Sequence, residues 1–265
     1  MAFLEIEYRK LSGEWNMAEL QSHGYYEIYY LLSGRRSFII EDKIFSLDAG
    51  AVMIIPPFAM HKTEGGAYER VNLYIDPELL DEREQKFLKE ISSSPAIMPS
   101  GASAALLRSV FEEYISLSRQ ADSALKRKYD LHFAKLALFA LQTAVLNPLQ
   151  VSGVPSAKRE DRELVLSVVS YINSHLEEEF CLEDIMHRFF LSKNTLCRIF
   201  RRVMDCSVME YCSAARLNKA KQLLLTTDSE IGEIARLCGY SSANYFSLIF
   251  KKKIGISPLN YRKKR

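Results

Sequence analysis

His23, Tyr25, Glu27 and Tyr29 stand two residues apart, and the period-two alternation of an extended chain sets them on one strand face. If that face lines a barrel and His61 reaches it from another strand, two imidazoles, a carboxylate and phenols share one cavity. Such a set hydrogen-bonds a polyol or an acid, and His, His and Glu are also a workable facial ligand set for a metal. A second constellation is basic. Leu196, Ile199 and Phe200 recur at helical spacing and must face inward, which leaves Lys193, Asn194, Cys197, Arg198 and Arg201 pointing out. Arginine can bind guanine bidentately and asparagine adenine, each pair supplying about 1–3 kcal/mol of discrimination. Arg198 and Asn194 therefore have the chemistry of base readers.

The elements that carry the second constellation occur twice. Residues 196–211 laid over 246–261 keep one offset of fifty residues and pair aromatic with aromatic throughout. Each copy opens with a short apolar helix, near 182–185 and 231–234, followed by a turn and by Ser192 or Ser241, placed to cap the next helix. Helix, turn and second helix with a basic end is the helix-turn-helix pattern. In the second copy the outward residues are Ser242, Ala243, Asn244, Ser247 and Leu248, with Lys251, Lys252, Lys253 and the basic tail 262–265 read as phosphate contacts. A connecting helix over 208–225 spans about 27 Å, close to the roughly 34 Å between successive major-groove faces. One chain would then read two neighbouring groove segments of double-stranded DNA.

Charge separates the two halves. Residues 1–157 hold 16 Lys+Arg against 20 Asp+Glu, a net of −4, whereas 158–265 hold 19 against 13, a net of +6. The half with the repeat is the half suited to phosphate. The chain of 265 residues, 48% hydrophobic and 26% charged, has the composition of folded globular domains. No apolar run approaches membrane-spanning length, and the first residues alternate apolar and charged, unlike a signal peptide. Five cysteines with no C-x-x-C pair fit reduced thiols, so a cytoplasmic protein with no membrane contact is expected. No Ser/His/Asp set, phosphate loop or pair of carboxylates at catalytic spacing is present.

Short β-branched or aromatic runs at 25–32, 37–40, 44–45 and 52–55, separated by turns at Ser33-Gly34, 41–43, 48–50 and Pro56-Pro57, predict an antiparallel barrel or jelly roll. A Ser/Pro/Gly-rich loop over 92–101 precedes helices at about 102–119 and 123–146. The second helix carries an apolar stripe, Leu125, Tyr129, Phe133, Leu136, Phe139 and Ala140, suited to packing on the barrel or to a dimer seam. The expected organisation is a multidomain chain: 1–98 an effector domain, 99–150 a helical connector, 151–160 a polar linker, and 161–265 an all-α domain with two helix-turn-helix units.

The motifs Arg216-Leu217-x-x-Ala220-x-x-Leu223-Leu224, Ile231-x-x-Ile234-Ala235-x-x-x-Gly239-Tyr240-Ser241, Tyr245-Phe246-Ser247-x-x-Phe250-Lys251-Lys252 and Gly255-x-Ser257-Pro258-x-x-Tyr261-Arg262 resemble the DNA-binding domain of AraC-type (AraC/XylS) bacterial transcription regulators. The first unit departs from that pattern at Met186, where a small alanine is usual, and at Asp205, where a turn glycine is usual. Leu248 stands where the second unit usually has an arginine, so the first recognition helix should carry more base specificity.

His23-x-x-x-Glu27, Gly34, Asp48-x-Gly50, Pro56-Pro57 and His61 resemble the cupin-like effector domain that many such regulators carry. A metal-binding cupin has a further histidine where this chain has Gln21, so neither metal nor cofactor is expected. The resemblance implies a non-enzymatic regulator whose partners are DNA, a small-molecule effector such as a carbohydrate, a second copy in a homodimer, and RNA polymerase. The alternative is a metal-dependent cupin enzyme fused to a DNA-binding domain. Trp15 would stack on a sugar ring or pack at a strand edge, and Arg35 and Arg36 would pair with an anionic effector or lie solvated.

Overall fold

The computed structural model describes residues 2–17, 20–118, 123–149, 159–178 and 181–263, so positions 151–158 of the linker and 264–265 of the basic tail lie outside the described residues. The chain divides into two units, Met1–Met17 with His23–Ser152, and Ala18–Ser22 with Gly153–Arg265. Among the described residues, no helix is long and apolar enough to cross a membrane.

The first unit is built from β1 (Leu4–Leu11), β2 (Tyr26–Ile40), β3 (Lys43–Asp48), β4 (Val52–Ile55), β5 (His61–Glu64), β6 (Tyr68–Ile75), α1 (Glu82–Ile91), β7 (Ala96–Ser100), α2 (Ala102–Ser118), α3 (Ser123–Thr143) and β8 (Val145–Pro148). Every ladder is antiparallel, and the strands run in the order β1-β6-β2-β4-β7-β8, with β3 and β5 also paired to β2.

The turn expected at Ser33-Gly34 is instead a bend inside one strand of 15 residues. The register with β6 slips between Leu31 and Ser33, and Gly34 takes φ 92°, where an added Cβ would collide with the Ala67 carbonyl oxygen. The bend lets the first half of β2 pair with β4 and β6 while the second half pairs with β3 and β5. One strand thus serves both walls of the jelly roll.

Both faces of this sheet are buried. Tyr29, Leu31, Phe38, Ile40, Phe45, Leu47, Met53 and Ile55 pack with Tyr68 inside the roll. The opposite face, Tyr26, Ile28, Tyr30, Val52, Ile54, Val71, Leu73 and Ile75, is covered by Leu107, Val110, Phe111 and Tyr114 of α2 and by Ala137, Leu138 and Leu141 of α3. Each such fully buried large apolar side chain contributes about 1.5–3 kcal/mol.

Three local expectations need correction. Ala96 and Ile97 are buried and pair with Met53 and Val52, so the expected loop over 92–101 contains β7; its flanking Ser and Pro residues hide a short apolar run. The helix expected to reach 146 ends at Thr143, and the chain turns back as β8 on β7. The buried stripe of α3 runs through Ala134, Ala137, Leu138, Ala140 and Leu141 with Phe133 packed against it, so Phe133 and Ala140 face inward as expected, while Tyr129, Leu136 and Phe139 are exposed. The Leu125 side chain lies outside the described residues.

The second unit contains seven helices among the described residues: α4 (Arg159–Ser174), α5 (Leu182–Phe189), α6 (Lys193–Met204), α7 (Val208–Thr226), α8 (Ile231–Leu237), α9 (Ala243–Ile254) and α10 (Pro258–Arg262). The bounds of α6 and α9 differ by the same fifty residues as the sequences. Ser192 caps α6 through the Thr195 amide at 3.3 Å. The expectation that Ser241 caps its counterpart is off by one, since the Tyr245 amide donates to Ser242 Oγ at 3.3 Å. Asp205 and Gly255 both close their helices in the left-handed region, at φ 56° and 87°. Aspartate tolerates that conformation better than most residues, which is how the turn survives without glycine.

The aromatic core repeats as well. Phe200 meets Tyr211 at 5.9 Å and 71°, and Phe250 meets Tyr261 at 5.5 Å and 78°, both edge to face. At 19 residues, α7 spans about 28 Å and joins the two copies.

Candidate functional site

Glu27 lies on the inner face of β2, almost fully buried, and His61 opens β5 opposite Ile40. His23 and Tyr25 precede β2 rather than extend it, so strand alternation is not what gathers the group. A bend before the strand brings His23 Nε2 to 3.2 Å from Glu27 Oε2, and His61 Nε2 lies 3.5 Å from the same oxygen. The two imidazoles meet edge to face at 5.0 Å, and the Tyr25 ring stacks on His23 at 4.0 Å. One donor atom from each of His23, Glu27 and His61 falls within 4.8 Å of the others. Gln21 is exposed.

Hydrogen bonding fixes the orientation of these groups. His23 Nδ1 sits 2.9 Å from the Tyr25 carbonyl oxygen and His61 Nδ1 3.0 Å from that of Ala59. A carbonyl only accepts, so each ring carries a proton on Nδ1 and turns Nε2 toward the carboxylate. Burial alone would push the Glu27 carboxyl up; the His23 hydrogen bond and nearby positive charge, Arg70 included, outweigh it and hold the group below its ordinary value. Burial lowers the His61 imidazole, with Glu27 offsetting only part of the effect. Asn72 Nδ2 donates to the other Glu27 oxygen at 2.5 Å and to the Tyr74 hydroxyl at 2.7 Å.

Tyr29 lies on the same inner face two residues beyond Glu27, and its buried hydroxyl has no hydrogen-bond partner. Its ring lies 5.5 Å from the Arg70 guanidinium. The sequence reading passes over Arg70, Asn72 and Tyr74. A signal was available in β6, where Tyr68, Arg70, Asn72 and Tyr74 alternate with Val71, Leu73 and Ile75. Alternation alone does not say that the polar face is the one turned inward.

Arg35 and Arg36 part company. Arg35 is exposed and pairs with Asp48 at 2.6 Å, but Arg36 is fully buried, against the expectation that it lies solvated. Half-buried Trp15 lies 5.6 Å from the Arg36 guanidinium and 6.2 Å from the Tyr68 ring.

On the second unit, Lys193, Asn194, Arg198 and Arg201 are exposed along α6, and Cys197 is half-buried. Along α9, Ala243, Asn244 and Lys251 are exposed and Ser247 is half-buried. Ser242 is exposed, but its hydroxyl accepts the capping hydrogen bond. Tyr245 and Leu248 are large, apolar and exposed on the same helix. Tyr245 was missed as a surface group because the repeat suggests a motif position rather than an outward ring. The last turns of both helices are basic, Arg201 and Arg202 on α6 and Lys251 to Lys253 on α9, where cations are favoured by the helix dipole.

Residues 8–132 match the family described as an AraC-like ligand binding domain, and residues 185–264 match the one described as a helix-turn-helix domain. Over 92% of its length the chain is 26% identical to the uncharacterized HTH-type transcriptional regulator YfiF of Bacillus subtilis, 78% of which is covered. It is 23% identical to the HTH-type transcriptional activator RhaR of Mannheimia succiniciproducens, across 92% of this chain and 86% of the relative. Against the melibiose operon regulatory protein of Escherichia coli K12 the identity is 21%, across 98% and 90% of the two chains. With a ligand-binding domain followed by a DNA-binding helix-turn-helix domain, the chain belongs to the AraC-type family of transcription regulators.

Proposed function

We propose that the barrel receives the effector over Glu27, with His23, Tyr25, Tyr29 and His61 around it, and that α6 and α9 enter neighbouring major-groove segments of one duplex. The observation that carries the DNA half is the repeat. Lys193, Asn194, Cys197, Arg198 and Arg201 on α6 correspond at the constant offset to Ala243, Asn244, Ser247, Leu248 and Lys251 on α9. Arg198 and Asn194 read base edges, while Lys193, Arg201 and Lys251 contact phosphate.

In this reading residues 1–98 are the effector module, 99–150 its connector, 151–160 a linker and 161–265 the DNA-binding domain, all working in the cytoplasm. Exposed Tyr129, Leu136 and Phe139 on α3 supply a seam for a homodimer. The DNA-bound regulator contacts RNA polymerase.

A carbohydrate-like effector suits the hydrogen-bonding groups around Glu27, and the name of the melibiose operon relative points the same way. Effector binding favours one arrangement of barrel and connector and thereby changes how DNA domains are spaced on their sites. The test is limited proteolysis of the full chain with a sugar panel, beside operator affinity. A sugar that protects the barrel should shift operator affinity or site geometry; protection without any such shift removes the coupling.

One observation favours a second reading, a divalent transition metal held by His23, Glu27 and His61. A cation would displace the Nε2 proton that His23 gives Glu27: with both Nδ1 protons held by carbonyls, two neutral rings would present Nε2 lone pairs to the metal beside the Glu27 oxygen. A bound metal would supply Lewis acidity to an enzymatic barrel or act only as a structural or ligand-binding centre. Stoichiometric metal in the purified protein, absent from His61→Ala, would support this reading, and a metal-free protein that still binds its effector would remove it.

A further inference from the structure

Arg36 is the most unusual side chain of the barrel. It is 0% exposed, yet no carboxylate is its partner among the described residues. Its Nη1 donates to the carbonyl oxygens of Trp15 at 2.9 Å and Gly66 at 3.4 Å, while Nε and Nη2 have no partner. The guanidinium lies 4.5 Å from the centre of the Tyr68 ring, and the Tyr29 phenol approaches it without reaching hydrogen-bond geometry. The buried hydroxyls of Tyr29 and Tyr68 are themselves unpaired, as is Nη1 of buried Arg70. Buried polar groups are nearly always satisfied, and here four neighbouring side chains leave hydrogen-bonding atoms unused.

Charge narrows what would satisfy them. Glu7 accepts from Arg70 at 2.8 Å and pairs with Arg9 at 2.9 Å, so its single charge serves two cations. Glu27 is engaged by His23, His61 and Asn72. Arg36 therefore has no counter-charge of its own, and burial pulls its ionised form in the unfavourable direction. Water can fill hydrogen bonds but not supply that charge. Further along the same inner face, buried Asn72 Oδ1 is an unpaired acceptor, which a ligand hydroxyl would satisfy.

We propose that the barrel binds a hydroxylated carboxylic acid, of the sugar-acid class, with the carboxylate on Arg36, Tyr68 and Tyr29 and the hydroxyls toward Arg70, Asn72 and Glu27. This rests on the effector reading above and replaces its neutral sugar by an anion. A neutral sugar leaves Arg36 uncompensated.

Trp15 is the one tryptophan of the chain and lies 5.6 Å from Arg36, so its fluorescence reports on this site directly. The full-length protein is titrated with galacturonate, gluconate, galactose and glucose at constant ionic strength. At least one acid should give a saturable change at about a tenth or less of the concentration that any neutral sugar needs, the scale of one charge-assisted hydrogen bond. Arg36→Met should abolish the response. Tyr68→Phe, which removes one hydroxyl and keeps the ring, should weaken it several-fold and serves if Arg36→Met does not fold.

Neutral sugars binding as tightly as the acids would overturn the proposal, as would no saturable response to either acid, or unchanged acid affinity in a folded Arg36→Met or in Tyr68→Phe. Response to neutral sugars alone would retain the effector reading and lose only the anion. Failure of the same protein to select any duplex would count against the regulator reading, whatever the acids do.

Discussion

Arg198 and Leu248 occupy the same place in the two copies of the repeated unit, both exposed on the sixth residue of their helices. Leu248 is 65% exposed, a large apolar group with no core to fill. In the proposed reading the pair would set an asymmetry in DNA recognition, a bidentate donor on one helix and a side chain suited to a thymine methyl on the other.

Arg198→Ala should weaken binding to the selected operator by about 1–3 kcal/mol, roughly fivefold to more than a hundredfold. Ser247→Ala, which removes one hydroxyl at a half-buried position, should cost far less. A gel-shift titration of both variants checks the ranking, and equal losses would contradict it.

Gly239 should resist substitution. It sits at φ 72°, and a Cβ would press on the Leu176 carbonyl oxygen and come within 2.8 Å of the Arg216 guanidinium. Arg216 is already anchored there, donating to the Leu176 carbonyl at 3.2 Å and the Glu178 carbonyl at 2.5 Å. Gly239→Ala should destabilise the DNA-binding unit by about 2 kcal/mol or more. Gly255→Ala, also left-handed but with nothing within 4 Å of the added Cβ, should cost about 1 kcal/mol. Denaturant unfolding of both variants measures the difference.

The helical half was legible because its signals are local and repeated. Caps, apolar spacing and the fifty-residue offset each specify the same helices, and even Asp205 announces a left-handed turn. The barrel was less legible because it is buried on both faces, so polarity did not mark inside from outside. Arg36 shows the difficulty: beside a glycine it looks like a solvated turn residue, and only the bend at Gly34 turns it into the roll. Long-range pairing, as of β7 with β8, leaves no short-range trace in a Ser- and Pro-rich segment.

Acid should loosen the barrel. His61 and Glu27 both have folded-state values below their ordinary ones, so the unfolded chain binds more protons and stability falls as pH falls. The His61 contribution begins to be lost below about pH 6.5, with a limiting slope of about 1.4 kcal/mol per pH unit. Melting temperatures of the chelator-treated protein between pH 7.5 and 5 should decline, and His61→Gln should flatten the curve. A wild-type profile that is flat over this range would contradict the geometry around Glu27.

The exposed side of α3 should govern association. Leu136 is 47% and Phe139 56% exposed, and burying such a pair in a seam would contribute a few kcal/mol. In sedimentation, Phe139→Asp should convert a dimer to a monomer without altering the fold. An unchanged dimer would place the seam elsewhere.

The central claim is that one chain carries two unequal DNA readers. The most direct measurement is selection of binding sites by the full-length protein from a pool of random duplexes. The expected outcome is an enriched motif with two short blocks about one helical turn apart, the block under α6 more sharply defined than the block under α9. A single block, or only salt-sensitive binding with no enriched sequence, would contradict it.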